Sequence, residues 1–388
     1  MDKLASYPKK RFTVLDSFRG IFALCVVVFH AHYVNSITEL PFFRRSDLFV
    51  DFFFVLSGFV ITHGYAFDKS IQFGRFSVSR IFRLFPLHIA MLGFFILIEA
   101  AKLFAFKYGI SFSHKPFTGE TDPSQIVTNL LLLQSWTTYT AALSFNYPAW
   151  SISIEFYMYL IFYTTLLIKG FFRYGLWFCI ASVATFLFVN NWLTADSVLS
   201  SSVLRGLSGF FSGAVTYFIY KKTSNETGLS GLTYSVLEIM LFIALLIIIP
   251  SSFSNKGVVL ILLYSTSVYV FAHEKGVLSV LFTKKIFKTV GKLSYSIYMT
   301  HASLLLVILT IYMVFDKIFG MKSVSSSVNG LKYIDLGNSF ANNVAIFLVL
   351  SLVILFSNLT YTYIELPGQA LGHKFINKYL PKTKPVEN

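Results

Sequence analysis

Charge is scarce in this sequence. Only 13% of its 388 residues are charged, whereas 55% are hydrophobic and Phe alone occurs 44 times. A water-facing surface needs more charged side chains than this, and a disordered chain has far fewer apolar ones. The composition therefore excludes both a soluble globular protein and a disordered protein, and it predicts an integral membrane protein.

Cysteine and acidic residues are also few. The two cysteines, Cys25 and Cys179, lie inside apolar stretches, so we expect neither a structural disulfide nor a cysteine metal site. With 32 Lys and Arg against 18 Asp and Glu, the formal net charge is +14. The basic residues lie in short segments between apolar runs and form no single cluster. This distribution indicates membrane topology and no nucleic-acid partner.

Long apolar runs are abundant. A helix needs about 20 apolar residues to cross the hydrocarbon core of a bilayer. The polar, basic N-terminus lacks the pattern of a cleavable signal, so we expect the first run to be a true span. Small residues at Gly209 and Gly213 predict a close contact between two helices. The sequence thus predicts an all-α bundle of ten transmembrane helices, over residues 13–34, 48–66, 84–105, 149–169, 174–194, 203–220, 234–250, 257–273, 287–315 and 341–364.

The basic residues predict the orientation of this bundle. Ten spans place both termini on one side, and if that side is the cytoplasm, inner segments hold 21 Lys and Arg and outer segments hold 10. Short cytoplasmic loops are enriched in these residues, so we expect both termini to be cytoplasmic. The chain then divides into an N-terminal cytoplasmic segment (1–12), a transmembrane domain (13–372) and a C-terminal cytoplasmic tail (373–388).

Three ionisable residues interrupt the first span: Asp16, Arg19 and His30. At 100° per residue they share one helical face, with His30 about 16 Å beyond Arg19. One interpretation is an Asp16–Arg19 ion pair that stabilises the helix start, with His30 hydrogen-bonded deep in the bundle. The other is a polar track from the cytoplasm to a buried imidazole that acts as a general base. His32 lies about 200° around the helix from His30, so we expect no shared metal site.

A pair of arginines begins the third predicted span. Arg80 and Arg83 stand three residues apart, and Pro86 follows in what would be the first helical turn. The positive-inside rule alone explains such a pair. The guanidinium fork also matches phosphate oxygens, so the pair is equally a candidate site for the phosphates of coenzyme A.

Further polar residues lie within apolar spans. Ser57 precedes Gly58, which favours close backbone approach over a nucleophilic role, because no neighbouring pattern supplies a base. Glu155 needs a buried partner, and the arginines named above are candidates.

Two more polar segments lie towards the C-terminus. Ser294, Tyr298 and His301 form a stripe that serves either a site or interhelical hydrogen bonding. Glu365 and Pro367 are expected to end the tenth span.

In this order, the segments resemble the membrane-bound acyltransferase family 3. The resemblance extends from about residue 11 to residue 372, nearly the whole chain. The segments are LDSFRGIFALCVVVFH, FFFVLSGF, SRIFRLFP, PAWSISIEFYMYL, GKLSYSIYMTH and YIELPGQALG.

The resemblance implies an O-acyltransferase of the bacterial cytoplasmic (inner) membrane. Such an enzyme transfers an acyl group, usually acetyl, from acetyl-coenzyme A to a hydroxyl of a surface carbohydrate such as O-antigen, exopolysaccharide or peptidoglycan. It uses no metal, and its partners are acyl-coenzyme A, a glycan acceptor and membrane lipid. The esterase-like domain that some relatives append is expected to be absent, because the chain ends soon after the last motif.

The resemblance also assigns roles to residues. His30 is similar to the catalytic histidine of the family and Arg19 to the arginine paired with it, while Arg80 and Arg83 match its donor-side arginines. We add Asp16 to the candidate catalytic group. The remaining candidates for the donor-binding site are Ser57, Glu155 and His301.

Two other function classes stay open. A secondary transporter or glycan flippase also has many spans with intramembrane charges, although the sequence shows no internal symmetry and no paired Gly/Pro-broken helices. A non-catalytic membrane partner in glycan assembly would tolerate replacement of His30 and Arg19. Substrate-dependent release of coenzyme A distinguishes an enzyme from both.

Overall fold

The structure is a computed structural model that describes residues 10–68, 71–109, 115–191, 199–224, 228–326 and 331–380. Most of the predicted N-terminal segment and the last eight residues of the predicted tail lie outside these ranges. The described apolar runs form helices α1 Thr13–His30, α2 Phe49–Tyr65, α3 Phe73–Lys107, α4 Gln125–Leu130, α5 Ala149–Thr165, α6 Phe171–Val189, α7 Ser201–Thr223, α8 Gly231–Ile248, α9 Lys256–Phe271, α10 Val277–Phe282, α11 Lys285–Lys292, α12 Ser294–Phe319, α13 Ser339–Thr360 and α14 Leu366–Tyr379.

The predicted all-α membrane architecture is confirmed, and the finer topology stays a prediction. Each of the ten predicted spans overlaps a helix. Within the described ranges, seven helical segments are long and apolar enough to cross a membrane: Thr13–His30, Phe43–Tyr65, Phe73–Lys107, Phe171–Val189, Gly231–Ile248, Ser294–Phe319 and Ser339–Tyr379. The other three predicted spans correspond to α5, α7 and α9, which are shorter or more polar than these seven. The number of ten spans and the cytoplasmic position of the termini therefore stay predictions.

Helix α1 ends at His30, four residues before the predicted boundary. The chain turns into extended backbone at Ala31 because the next residues are hydrogen-bonded to a short hairpin. Strands β1 (Val324–Ser326) and β2 (Lys332–Ile334) pair antiparallel, and the Ile334 amide donates to the His32 carbonyl at 2.9 Å. His30 therefore lies at the end of its helix, directly before this attachment.

Helix α3 begins at Phe73, well before the predicted start at residue 84. Arg80, Arg83 and Pro86 consequently lie inside a helix of 35 residues and not in its first turn. Pro86 packs on α14, where a Cβ on Gly368 would come within 2.5 Å of the proline ring. This contact brings α14 against the arginines of α3.

The helix that contains the tenth predicted span does not end at Glu365 and Pro367, and the end of the span itself stays a prediction. Helix α13 continues through a π-helical turn, Tyr361–Glu365, directly into α14. Pro367 is the second residue of α14, where the wide turn before it accommodates the missing N–H donor. The predicted domain boundary at residue 372 falls inside this last helix.

Helices α2 and α7 touch through their backbones, which confirms the contact predicted from the glycines. A Cβ on Gly213 would lie 1.9 Å from the Val55 carbonyl oxygen, and one on Gly58 would lie 1.8 Å from the Phe210 carbonyl oxygen. Close approach of this kind is available only to residues without a side chain. The contact fixes the position of Ser57, the neighbour of Gly58.

Candidate active site

Six helices surround a cavity of about 310 Å³. Five of the eight predicted site residues line it: Arg19 from α1, Ser57 from α2, Arg80 and Arg83 from α3, and Glu155 from α5. Helices α12 and α14 complete the wall with Ser294, Tyr295, Tyr298 and Gln369. The other three predicted residues, Asp16, His30 and His301, do not line this cavity.

Two of the three cavity arginines are held by carboxylates. Arg83 lies 3.2 Å from Glu365, whose side chain is only 1% exposed and also accepts a hydrogen bond from Ser296. Arg19 lies 3.2 Å from Asp16, as the structural interpretation of span one expected. Glu365 is thus a site residue that the sequence analysis assigned to helix termination.

Arg80 is the cavity arginine without a carboxylate partner among the described residues. It donates to the Tyr65 hydroxyl at 2.9 Å and to Ser79 Oγ at 3.3 Å. Its guanidinium also lies 5.3 Å from the centre of the Tyr65 ring and 5.7 Å from that of Tyr159. Neutral hydroxyls and ring faces orient this cation but do not neutralise it.

Glu155 binds two hydroxyls and none of the arginines expected as its partners. Ser57 Oγ donates to Glu155 Oε1 at 2.6 Å, and the Tyr159 hydroxyl donates to the same oxygen. Ser57 Oγ and the Tyr159 hydroxyl oxygen are 3.0 Å apart. Tyr159 was not among the predicted site residues, although its spacing of four residues from Glu155 places both on one helical face.

His30 and His301 form a pair beyond the cavity. His30 Nδ1 lies 3.2 Å from His301 Nε2 and 3.0 Å from the Val26 carbonyl oxygen, one turn back on α1. His301 Nδ1 lies 3.3 Å from the Ile297 carbonyl oxygen. His301, which is fully buried, is therefore a partner of His30 and does not line the cavity; its assignment to the donor-binding site stays a prediction.

Tyr298 stands between the cavity and the histidine pair. It lines the cavity, its hydroxyl bonds Ser151 Oγ at 2.8 Å, and its ring centre lies 5.9 Å from that of His301. The ring of Phe53, another lining residue, packs edge-on against it at 5.9 Å. The two parts of the candidate site are adjacent and are separated by one aromatic layer.

His32 belongs to a different group at the hairpin. It hydrogen-bonds Arg44 at 2.8 Å, and Arg44 in turn donates to the Tyr333 hydroxyl at 2.7 Å. Burial, and then the positive charge of Arg44, lower the pKa of His32 to about 4. The ring is therefore neutral near pH 7, and its Nδ1 accepts from the guanidinium.

Comparison with known proteins decides the family. A family model described as an acyltransferase domain, Acyl_transf_3, matches residues 12–362. The chain belongs to the acyltransferase 3 family. The predicted resemblance is confirmed, and the chain is a membrane acyltransferase.

Two curated relatives are similar to parts of this acyltransferase. "Protein 2 in picA locus" of Rhizobium radiobacter is 34% identical over 165 residues, which is 39% of this chain and 81% of the relative. "Acyltransferase MdmB" of Streptomyces mycarofaciens is 29% identical over 160 residues, which is 41% of this chain and 38% of the relative. No solved structure matches the acyltransferase.

Proposed function

We propose that this acyltransferase moves an acetyl group from cytoplasmic acetyl-coenzyme A to a hydroxyl of a bacterial cell-surface carbohydrate, in the inner membrane. Membership of the acyltransferase 3 family supports acyl transfer as the reaction class. The donor, the acceptor and the roles of individual residues are the proposal.

The observation that carries the donor assignment is the cavity arginine, Arg80, to which no carboxylate binds within the described part of the chain. Arg80 has no carboxylate partner among the described residues, so a phosphate group of the donor can bind it without displacing an existing ion pair. Arg19 and Arg83 line the same cavity but are each paired with a carboxylate. At about 310 Å³ the cavity is at the lower end of ligand pockets, so it suits the pantetheine arm and an adjacent phosphate better than a whole coenzyme A.

The orientation of the helices supports a route from the phosphates to His30. Arg19 lies in the second turn of α1 and His30 is its last residue, about 16 Å further along the axis. A donor anchored at the arginines extends along this direction towards Tyr298 and the histidine pair. Movement of Tyr298 would bring the thioester to His30.

At His30 the transfer has two possible forms. In the direct form, His30 Nε2 takes the proton of the acceptor hydroxyl, whose oxygen attacks the thioester carbonyl carbon. The carbon–sulfur bond breaks, and the departing thiolate takes the proton back from the imidazolium. In the other form, His30 Nε2 attacks the thioester carbonyl carbon, the carbon–sulfur bond breaks and the thiolate departs; the acceptor oxygen then takes the acetyl group from the acyl-imidazole, and the hydroxyl proton passes to the thiolate.

Replacement of Arg80 tests the donor assignment. Arg80→Gln should raise the KM for acetyl-coenzyme A at least 10-fold, because a charged hydrogen bond contributes about 1.5–3 kcal/mol. Arg75→Gln is the matched control, since Arg75 is on the same helix but binds the Leu380 carbonyl and does not line the cavity. An equal KM for both variants would contradict the assignment.

A glycan flippase or transporter is the alternative function class, and it makes a different prediction. Reconstituted protein would then move glycan across vesicle membranes without releasing coenzyme A. Acceptor-dependent release of coenzyme A with transfer of the label to glycan excludes transport as the sole activity.

A further inference from the structure

Two backbone carbonyls decide which nitrogen of each paired histidine carries the proton. A carbonyl oxygen only accepts hydrogen bonds, so the nitrogen facing it must be protonated. The Val26 carbonyl faces His30 Nδ1 at 3.0 Å, and the Ile297 carbonyl faces His301 Nδ1 at 3.3 Å. Both neutral rings therefore carry their hydrogen on Nδ1.

This protonation fixes the direction of the hydrogen bond between the rings. His301 Nε2 has a free lone pair, so it accepts from His30 Nδ1–H at 3.2 Å, and that hydrogen is shared with the Val26 carbonyl. His30 Nε2 is then left with a lone pair and has no hydrogen-bond partner among the described residues. Nε2 is the atom of His30 that can accept a proton or an acyl group.

We propose that His301 is a positioning residue for the acyl transfer: it fixes the His30 ring so that Nε2 faces the reacting groups, and it supports the positive charge that forms when Nε2 is protonated. The inference rests on the proposed role of His30 as base or acyl carrier. His301 touches neither donor nor acceptor in this account, and it acts only through His30.

The surroundings of His301 suit such a role. Its side chain is fully buried, and its ring lies near those of Tyr298 and Tyr147, with centres 5.9 Å away in both cases. Tyr147 also packs on His30, at 4.7 Å between ring centres. Aromatic rings thus hold the two histidines in place. The hydrogen bond between His30 and His301 strengthens when His30 becomes a cation, because charged donors bind more strongly than neutral ones.

Glutamine and asparagine at position 301 separate positioning from simple packing. The side-chain amide of Gln reaches the place of the histidine Nε2, whereas the shorter Asn reaches only that of Nδ1. Gln can therefore accept from His30 Nδ1–H, and Asn cannot. Leu at this position fills the space and accepts nothing.

The experiment measures steady-state transfer from labelled acetyl-coenzyme A in purified, reconstituted protein, with a crude surface-glycan acceptor. We expect His301→Leu and His301→Asn to lower kcat by about 10- to 100-fold, the cost of a misplaced catalytic group, with the KM for acetyl-coenzyme A unchanged. His301→Gln should recover most of kcat. A packing role alone would leave His301→Leu, which fills the space, near the wild-type kcat, and it would not separate kcat from KM.

His88→Gln is the matched control, because His88 is also buried and has its one hydrogen bond, at 2.7 Å, to the Asn129 carbonyl away from the cavity. This variant should keep the kcat of wild type. Equal kcat for His301→Gln and His301→Asn, or wild-type kcat for His301→Leu, would overturn the positioning role while leaving the proposed function intact. If wild-type protein transfers no label to any fraction of the crude surface glycan, both the positioning role and the proposed function are overturned.

Discussion

Replacement of Gly213 by Ala should separate α2 from α7 and destabilise the cavity wall. The added Cβ would lie 1.9 Å from the Val55 carbonyl oxygen and 2.9 Å from the Phe59 amide nitrogen. The first distance is about 1.5 Å short of ordinary van der Waals contact. Both opposing atoms belong to the backbone, so no side chain can rotate away and the helices themselves must move.

The cost can be estimated from overpacking in well-packed interiors. Inserting one methyl group where nothing can yield costs about 1–3 kcal/mol of the free energy of unfolding. The movement also affects Ser57, which lies next to Gly58 in the same contact and binds Glu155 at 2.6 Å. We therefore expect a lower Tm together with weaker binding of acetyl-coenzyme A.

Thermal unfolding in detergent, followed by the loss of the monodisperse gel-filtration peak, measures the stability change. Gly93→Ala in α3 is the matched control, because a Cβ there meets nothing within 4 Å. Removing a helical glycine without a clash stabilises by about 0.5–1 kcal/mol, so this control should raise Tm slightly. A Gly213→Ala protein as stable as the Gly93→Ala protein would refute the close backbone contact.

Two further predictions concern the layer next to the histidines and the hairpin. Tyr298→Ala should increase the release of coenzyme A in the absence of acceptor, because it opens the aromatic layer between the cavity and His30. Tyr157→Ala is the control, since Tyr157 lies outside the cavity. Equal release by the two variants would show that the layer is not a barrier. The pKa of His32 is about 4 in the folded chain, below its ordinary value of about 6.5, so attachment of the hairpin should weaken as the pH falls from 6.5 towards 4. Faster hydrogen exchange at the Ile334 amide over that range would show it, and a rate insensitive to pH after correction for intrinsic exchange would contradict it.

Helices were predictable from the sequence where local pattern decides them. Apolar runs located the ten long helices of the described residues, and the spacing of Gly209 and Gly213 indicated a close helix contact, whose partner the structure shows to be α2. Helix ends were less accurate, because distant partners set them. Helix α1 stops at His30 since the hairpin binds the next residues, and α13 passes Glu365 since Arg83 and Ser296 bind that carboxylate.

The candidate site was predictable in composition but not in pairing. The sequence analysis named Arg80, Glu155 and Ser57 as donor-binding candidates and Arg19 as a catalytic candidate, and in the structure all four line one cavity. Which hydroxyl or cation meets Glu155 depends on how the helices rotate against each other, and one sequence does not determine that rotation. For the same reason the sequence did not indicate that packing of α12 on α1 pairs His301 with His30.

In the proposed reaction, His30 transfers the acyl group of coenzyme A to a surface glycan. The most direct measurement uses acetyl-labelled acetyl-coenzyme A with membranes that contain wild type or His30→Ala, a crude surface-glycan acceptor, and equal amounts of folded protein. We expect label in glycan, with matching release of coenzyme A, for wild type only. Equal transfer by both proteins would contradict this expectation and remove His30 from the reaction.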